Sequence, residues 1–291
     1  MNKKISIILV NYNGSDILPT CLDSLNKFIN KDKCEIIIVD NASEDLSPEF
    51  VEENFPHIQL IRLPTNLGFG SGNNAGTKIA KGEFLFFLNT DTIITSNILP
   101  HLINLMERNP EVGIIGPKLL FPNGNFQISI SPQISIQGEI EAKKLHSYAQ
   151  SQTQLNILEQ DFQHNQEVDI VVGAALFIRA DLFNSLGGFD ENFFMYFEES
   201  DLCKRAKEQG YKVLYTPEVS LIHVRGHSVS KVANKMAVEY RRSQLYYYKK
   251  HRPLWERLML RIYLFSKFIY EFVTTSNLYS WKIIKLVFVY K

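Results

Sequence analysis

Phe84-Leu-Phe-Phe-Leu-Asn-Thr-Asp-Thr92 decides how this chain folds. Five apolar residues in succession, with Gly82 before them and polar residues after, predict a strand buried on both faces. The run stops at Asn89, Thr90 and Asp91. An acid at the carboxyl end of a central parallel strand lies in the crevice where open α/β sheets bind ligands, so Asp91 is a ligand-facing candidate. The plainer alternative is a turn that caps a helix near Ile98–Met106.

Working outward, Ile5–Val10, Glu35–Val39 and Ile58–Leu63 also read as strands, and Val112–Ile115 as a later one. Ile17, Leu18, Cys21, Leu22 and Leu25 recur at helical spacing between the first two. Strands alternating with helices predict a parallel sheet with right-handed crossovers. Gly68, Gly70, Gly72 and Gly76 crowd the segment before Phe84. They follow the third strand, not the first, which argues against a dinucleotide fingerprint. Two readings stay open: a loop that lets backbone approach a ligand, and a connector that starts a short helix towards Ala80. Residues 123–166 are weakly patterned and predict an irregular or partly helical insertion, whereas Val168–Arg179 reads as one strand.

A chain of 291 residues, 45% hydrophobic and 21% charged, holds one large α/β domain with or without an appendage. Cys21, Cys34 and Cys203 form no CxxC pair, which points to a reduced compartment and no structural zinc. The apolar N-terminal run is too short for a secretory leader, and no stretch is long enough to span a membrane. Net charge is zero, yet residues 241–291 hold 11 Lys or Arg against Glu256 and Glu271. That +9 tail leaves −9 for the rest. No nucleic-acid partner is expected.

Glu198, Glu199 and Asp201 follow the aromatic run Phe193–Phe197 at a predicted helix start. Acids there are favoured by the helix dipole alone. The functional reading is a carboxylate held beside apolar walls, ready to take a proton from a hydroxyl. His223 ends a short apolar strand and is either structural or a ligand; with Asp91 it would suit Mn²⁺ better than Mg²⁺. In the tail, Pro253 starts a helix in which Trp255, Leu258, Met259, Ile262, Phe265 and Ile269 recur, with Arg257, Arg261 and Lys267 among them. Either this is a hairpin packed on the body or on a second copy, giving a homodimer, or it is a basic amphipathic surface for anionic lipid.

Several segments together resemble one known family. Ser6-Ile-Ile-Leu-Val-Asn-Tyr-Asn-Gly14, Ile37-Ile-Val-Asp-Asn-Ala-Ser43, Asn66-Leu-Gly-Phe-Gly70 and Leu88-Asn-Thr-Asp-Thr92 look like family 2 glycosyltransferases of the GT-A fold. Gly187-Gly-Phe-Asp190, Phe193–Asp201 and His223-x-x-Gly226-x-Ser228 look like its rhamnosyltransferase branch. The resemblance implies a Rossmann-like α/β fold, a mostly parallel mixed sheet with helices on both faces, over residues 1–240. Residues 241–291 would form a C-terminal helical tail. It implies an inverting, metal-dependent transferase that moves a sugar from a nucleotide diphosphate donor, dTDP-rhamnose first, to a cell-surface or lipid-linked glycan at the inner face of the membrane. A UDP-hexose donor is the alternative. A non-catalytic glycan- or nucleotide-binding module would keep the fold without a base. A sugar nucleotidyltransferase would carry a glycine-rich basic loop where this chain has Asn11-Tyr-Asn-Gly14.

Position by position, the resemblance implies that Asp40 meets the base, with Val10 and Tyr12 lining its pocket. Asn41, Asn66, Gly70, Asn73, Asn89 and Thr90 join the nucleotide-sugar site. Asp91 and His223 bind Mn²⁺ or Mg²⁺. Glu199 stands where the family has an Asp as base, one methylene longer here, with Glu198 as the other candidate; Asp201 orients the acceptor or the helix start.

Overall fold

The computed structural model describes residues 4–30, 32–149, 151–224 and 233–289. Gly226 and Ser228 of the last motif lie outside them.

The chain opens with β1 (Ile5–Asn11), α1 (Leu18–Phe28), β2 (Cys34–Asp40), α2 (Ser47–Asn54), β3 (Gln59–Arg62) and α3 (Phe69–Thr77). Then come β4 (Phe84–Asn89), β5 (Thr92–Ile94), α4 (Leu99–Arg108) and β6 (Val112–Leu120). The insertion holds β7 (Phe126–Gln127), β8 (Ile130–Ser131), α5 (Ile136–Tyr148), α6 (Gln152–Asp161) and β9 (Gln166–Glu167). After it follow β10 (Ile170–Val171), β11 (Ala175–Arg179), α7 (Ala180–Ser185), α8 (Glu198–Glu208) and β12 (Lys212–His223). Three helices close the chain: α9 (Ala233–His251), α10 (Leu254–Thr275) and α11 (Leu278–Val289).

The main sheet runs β3-β2-β1-β4-β11-β6-β12-β5. Its first four strands are parallel, in register from Ile5 opposite Cys34 and Phe84 to Val10 opposite Val39 and Asn89. β11 runs antiparallel to both neighbours, and β12 is parallel to β6. Alternation along each central strand sends Ile7, Ile36, Phe84 and Phe86 to one apolar layer and Ile8, Ile37, Leu85 and Phe87 to the other. That explains the unbroken apolar runs: both faces are covered.

Two expectations change. Val168–Arg179 is not one strand: Val172–Ala174 interrupts it, because β10 pairs with β8 in a separate small sheet while β11 pairs with β4 and β6. The segment after Asp91 caps no helix: β5 intervenes, and α4 begins beyond Ile98 without a side-chain cap.

The closing helices form a third apolar cluster on Phe193 and Phe197, from Leu245, Tyr247, Leu260, Leu264, Phe268 and Ile283. α9 carries the chain through residue 240 unbroken. Among the described residues no helix is long and apolar enough to cross a membrane.

Candidate active site

β1, β2 and β3 are laid down in one direction, and β4 returns to the other side of β1. The chain therefore reverses its winding between β1 and β4, where open sheets leave a crevice. The tips there carry Asn11 and Tyr12 on one side and Asn89, Thr90 and Asp91 on the other.

The β1–β2 side is built on a polar network centred on Asn11, whose buried Oδ1 has no protein partner. Asn11 Nδ2 donates towards Asp40 Oδ1 (3.0 Å), Ser43 Oγ (3.1 Å) and Ser47 Oγ (2.7 Å). Asp40 Oδ2 accepts from the Ser43 amide at 3.0 Å, and the residue is buried. A carboxylate has about four acceptor positions. Two are used by these donors. Val10 packs against Gly72, where a Cβ would come within 2.9 Å of it, and Tyr12 lies exposed at the rim.

Asn41 and Asn66 tie the loop together through their side chains. Asn41 Nδ2 donates to Asn66 Oδ1 and the Gly68 carbonyl, both at 3.0 Å, and Asn41 Oδ1 accepts from the Leu67 amide at 2.9 Å. The loop then docks on the aromatic segment: the Phe69 amide donates to the Phe194 carbonyl at 2.9 Å. Gly68 has φ +90°, and a Cβ there would lie 2.1 Å from that same oxygen. Only glycine fits both the left-handed backbone and the contact. Asn73 donates to the Phe69 carbonyl at 3.1 Å, leaving its buried Oδ1 without a protein partner.

Asp91 and His223 meet because β5 and β12 pair from Leu221 opposite Ile94 to His223 opposite Thr92. His223 Nε2 lies 3.2 Å from Asp91 Oδ1. Gln127, which the sequence did not single out, sets the imidazole. Its Nε2 donates to the His223 carbonyl at 3.2 Å, so its Oε1 is the acceptor for Nδ1–H at 2.6 Å. That tautomer directs the Nε2 lone pair at the carboxylate. A lone pair facing a carboxylate oxygen is unfavourable unless a proton on Nε2 or a metal ion stands between them, and the 3.2 Å separation suits either. Two neighbouring ligands of an octahedral ion lie about 3 Å apart, so the pair fits a divalent ion. Among the described residues no group of three or more His, Cys, Asp or Glu could hold a metal. The remaining positions would fall to phosphate oxygens and water. Cys21, close to Asn89 and Thr92, is no nucleophile: burial pushes its thiol up to about 12.

Across from β4, the Asn89 amide bonds the Ala174 carbonyl at 3.0 Å, which sets Gly173 beside the strand tip. Glu199 lies against Gly173, where a Cβ would be 3.6 Å from its own Cβ. Glu198 lies against Gly70, again 3.6 Å by the same measure. Thus α8 presents one acid towards each glycine. Two consecutive non-glycine residues, Tyr196 and Phe197, have φ of 70° just before it. Such strain of about 1–3 kcal/mol per residue persists only where packing enforces it. Here the enforcing contacts are the Phe194 clasp and the Phe197 ring tilted against Tyr240 and Tyr247.

Burial raises the Glu199 carboxyl above its ordinary value, opposed by amides of Glu199, Ser200 and Gly173. Burial and the charge of Glu199 push Glu198 well up, and its Oε2 has no partner. Asp201 is different. Fully buried, it takes Arg205 Nε and His251 Nε2 at 2.6 Å and Lys250 Nζ at 2.7 Å. Burial opposes its ionisation, but these three partners hold it below its ordinary value. Its oxygens brace α8 against α9. A cavity of about 450 Å³ beneath α5 and α6 is lined by none of these residues.

A mixed, mostly parallel sheet with its winding reversed at β1/β4, covered by helices and followed by a C-terminal helical region, is the GT-A fold. The chain belongs to Glycosyl transferase family 2, whose sequence profile matches residues 6–187. It is 24% identical over 270 residues to the Mycobacterium tuberculosis N-acetylglucosaminyl-diphospho-decaprenol L-rhamnosyltransferase, covering 88% of this chain and 87% of that protein. Staphylococcus aureus TarS 1–349, solved with UDP-GlcNAc, superposes with a TM-score of 0.57 at 19% identity, over 83% of this chain and 65% of that one. GalNAc-T7, solved with UDP, GalNAc and Mn²⁺, superposes with a TM-score of 0.59 at 16% identity, over 76% of this chain and 43% of that one.

Proposed function

We propose that residues 1–240 carry an inverting, divalent-metal-dependent glycosyl transfer, with residues 241–291 as an appended region. The donor is a nucleotide diphosphate sugar, dTDP-rhamnose first, and the acceptor a hydroxyl of a lipid-linked glycan at the inner face of the cell membrane. The observation that carries this reading is the Asp91–His223 pair, fixed by Gln127 at the strand tips with Glu199 opposite. The rhamnosyltransferase named above, similar along most of both chains, supports rhamnose and a polyprenyl-linked acceptor.

Asp40 receives the base edge through its remaining acceptor positions, with Val10 and Tyr12 against the ring. Asn89 and Thr90 sit at the ribose and diphosphate, and Asn73 and Gly70 face the sugar. Asp91 and His223 would hold the metal, which when bound would supply charge neutralisation to the departing diphosphate worth roughly several kcal/mol. Glu199 takes the acceptor proton as its oxygen forms the new bond to the anomeric carbon and the bond to the diphosphate breaks. Burial makes Glu199 a stronger base, and such help is worth about 10²–10⁴ in rate. One displacement inverts the centre.

A thermal-shift series with dTDP, UDP and GDP, each with and without Mn²⁺, tests the reading. A nucleotide at 100 times its Kd adds about 2.7 kcal/mol to the folded state. The expected result is a rise that needs nucleotide and metal together and disappears in Asp91→Ala. If no nucleotide raises Tm with Mn²⁺, the transferase reading fails.

A further inference from the structure

α10 is apolar twice over. Leu260, Leu264 and Phe268 form one stripe, buried against α9, α11 and the Phe193–Phe197 segment. A second stripe, Leu254, Leu258, Ile262, Phe265, Ile269 and Val273, is exposed along its whole length. At about 100° per residue these six fall within about 100° of arc. All five charged residues of the helix, Glu256, Arg257, Arg261, Lys267 and Glu271, lie outside that arc. A stripe of this width ordinarily faces a core. Here the core is already served by the first.

The face continues onto α11. Phe288 packs on Phe265 with ring centroids 5.7 Å apart, and Trp281 lies 5.5 Å from Phe272. Both Phe288 and Trp281 are exposed. Lys282 and Lys285 stand beside them in solvent, Lys285 with its amine 5.5 Å over the Trp281 ring. Arg261 stands at one border of the stripe. On the other, Lys143 of α5 sits 5.4 Å over Tyr263. An apolar plane bordered by cations, with a tryptophan at its margin, complements acyl chains beneath anionic headgroups. A protein partner seated on so large an apolar face would need no rim of one sign, and Arg261, Lys282 and Lys285 beside the face would repel their counterparts in a second copy.

We propose that the exposed face of α10 and α11 lies on the surface of an anionic phospholipid bilayer, as a peripheral contact and not a span. This deepens the lipid-linked acceptor reading by naming the surface that brings the enzyme to it.

The test is co-sedimentation of the full chain with phosphatidylcholine vesicles, plain or mixed with phosphatidylglycerol. The protein should pellet with the mixed vesicles and not with the plain ones. Ile262→Asp with Val273→Asp, at side chains 67% and 75% exposed, leaves packing untouched and should weaken pelleting at least about tenfold. Lys282→Glu with Lys285→Glu should weaken it by about tenfold or more and remove its salt dependence in part. Nucleotide-induced thermal shifts should be unchanged in both variants, so loss of vesicle binding is distinguishable from failure of the transferase reading. The proposal is overturned if the parent chain stays in the supernatant with mixed vesicles, or if the aspartate pair pellets like the parent. It is equally overturned if the parent sediments as a dimer that the aspartate pair dissociates while no vesicle is bound.

Discussion

Two buried carboxylates within the same fold are treated in opposite ways. Asp40 at the tip of β2 is satisfied by Asn11 and the Ser43 amide, and Glu35 on the same strand accepts from Ser6, Gln59 and the Lys81 amide. Glu198 at the start of α8 is as deeply buried, yet one oxygen has no partner, a second glutamate follows it, and the two residues before it are forced into left-handed backbone. Burying a polar group without a hydrogen bond is costly, and the surrounding packing must bear that cost. The contrast is between carboxylates on β2 whose donors the fold supplies and one at the start of α8 that is buried with an oxygen left over.

The strongest way to break this contrast is Glu199→Gln. Transfer should fall by about 10²–10⁴ while the nucleotide-dependent thermal shift survives. Near-normal transfer there, with loss in Glu198→Gln, would move the base by one residue. Next is Gly68→Ala, which combines a left-handed backbone with a clash on the Phe194 carbonyl. A stability loss of about 3 kcal/mol in urea unfolding is expected; a neutral result would mean that the loop and the α8 approach are not locked together. Gln127→Ala should raise the Mn²⁺ concentration for half-maximal activity by about tenfold, since it frees the His223 ring. An unchanged metal requirement would remove His223 from the metal site.

The smallest effect has a distinctive pH signature. Burial raises the folded-state carboxyl of Glu198, so its contribution to stability is complete below its unfolded value and is lost as pH rises through the folded one. At pH 7 the native acid therefore works against the fold. Glu198→Gln should raise Tm by about 2–4 °C at neutral pH, for a gain near 1 kcal/mol, and the gain should vanish below about pH 4. A Tm that falls at pH 7 would show that the acid is satisfied after all.

The apolar strands and the acids at their ends were legible because a strand buried on both faces writes itself as a continuous run that stops where solvent begins. Asp91 and His223 sit at such boundaries, whereas the α8 acids stand at a helix start behind the aromatic run. Gln127 was not legible: β7 has two residues, too few for any period, and its partner is 96 positions away. Asp201 pairs with His251 across 50 positions, which no local pattern reveals. Asn41 and Asn66 stood out by motif, but the bond between their side chains across 25 positions did not. The strain at Tyr196 and Phe197 left no trace because neither is glycine, and the enforcing contacts come from the distant α9.

The amide that joins Phe69 to the Phe194 carbonyl is one proton shared between the loop above the crevice and the approach to α8. Its exchange with deuterium is therefore a clock for that junction. Slow exchange in the apo protein would mark a site assembled in advance, and slowing only upon nucleotide addition would mark one completed by its own substrate.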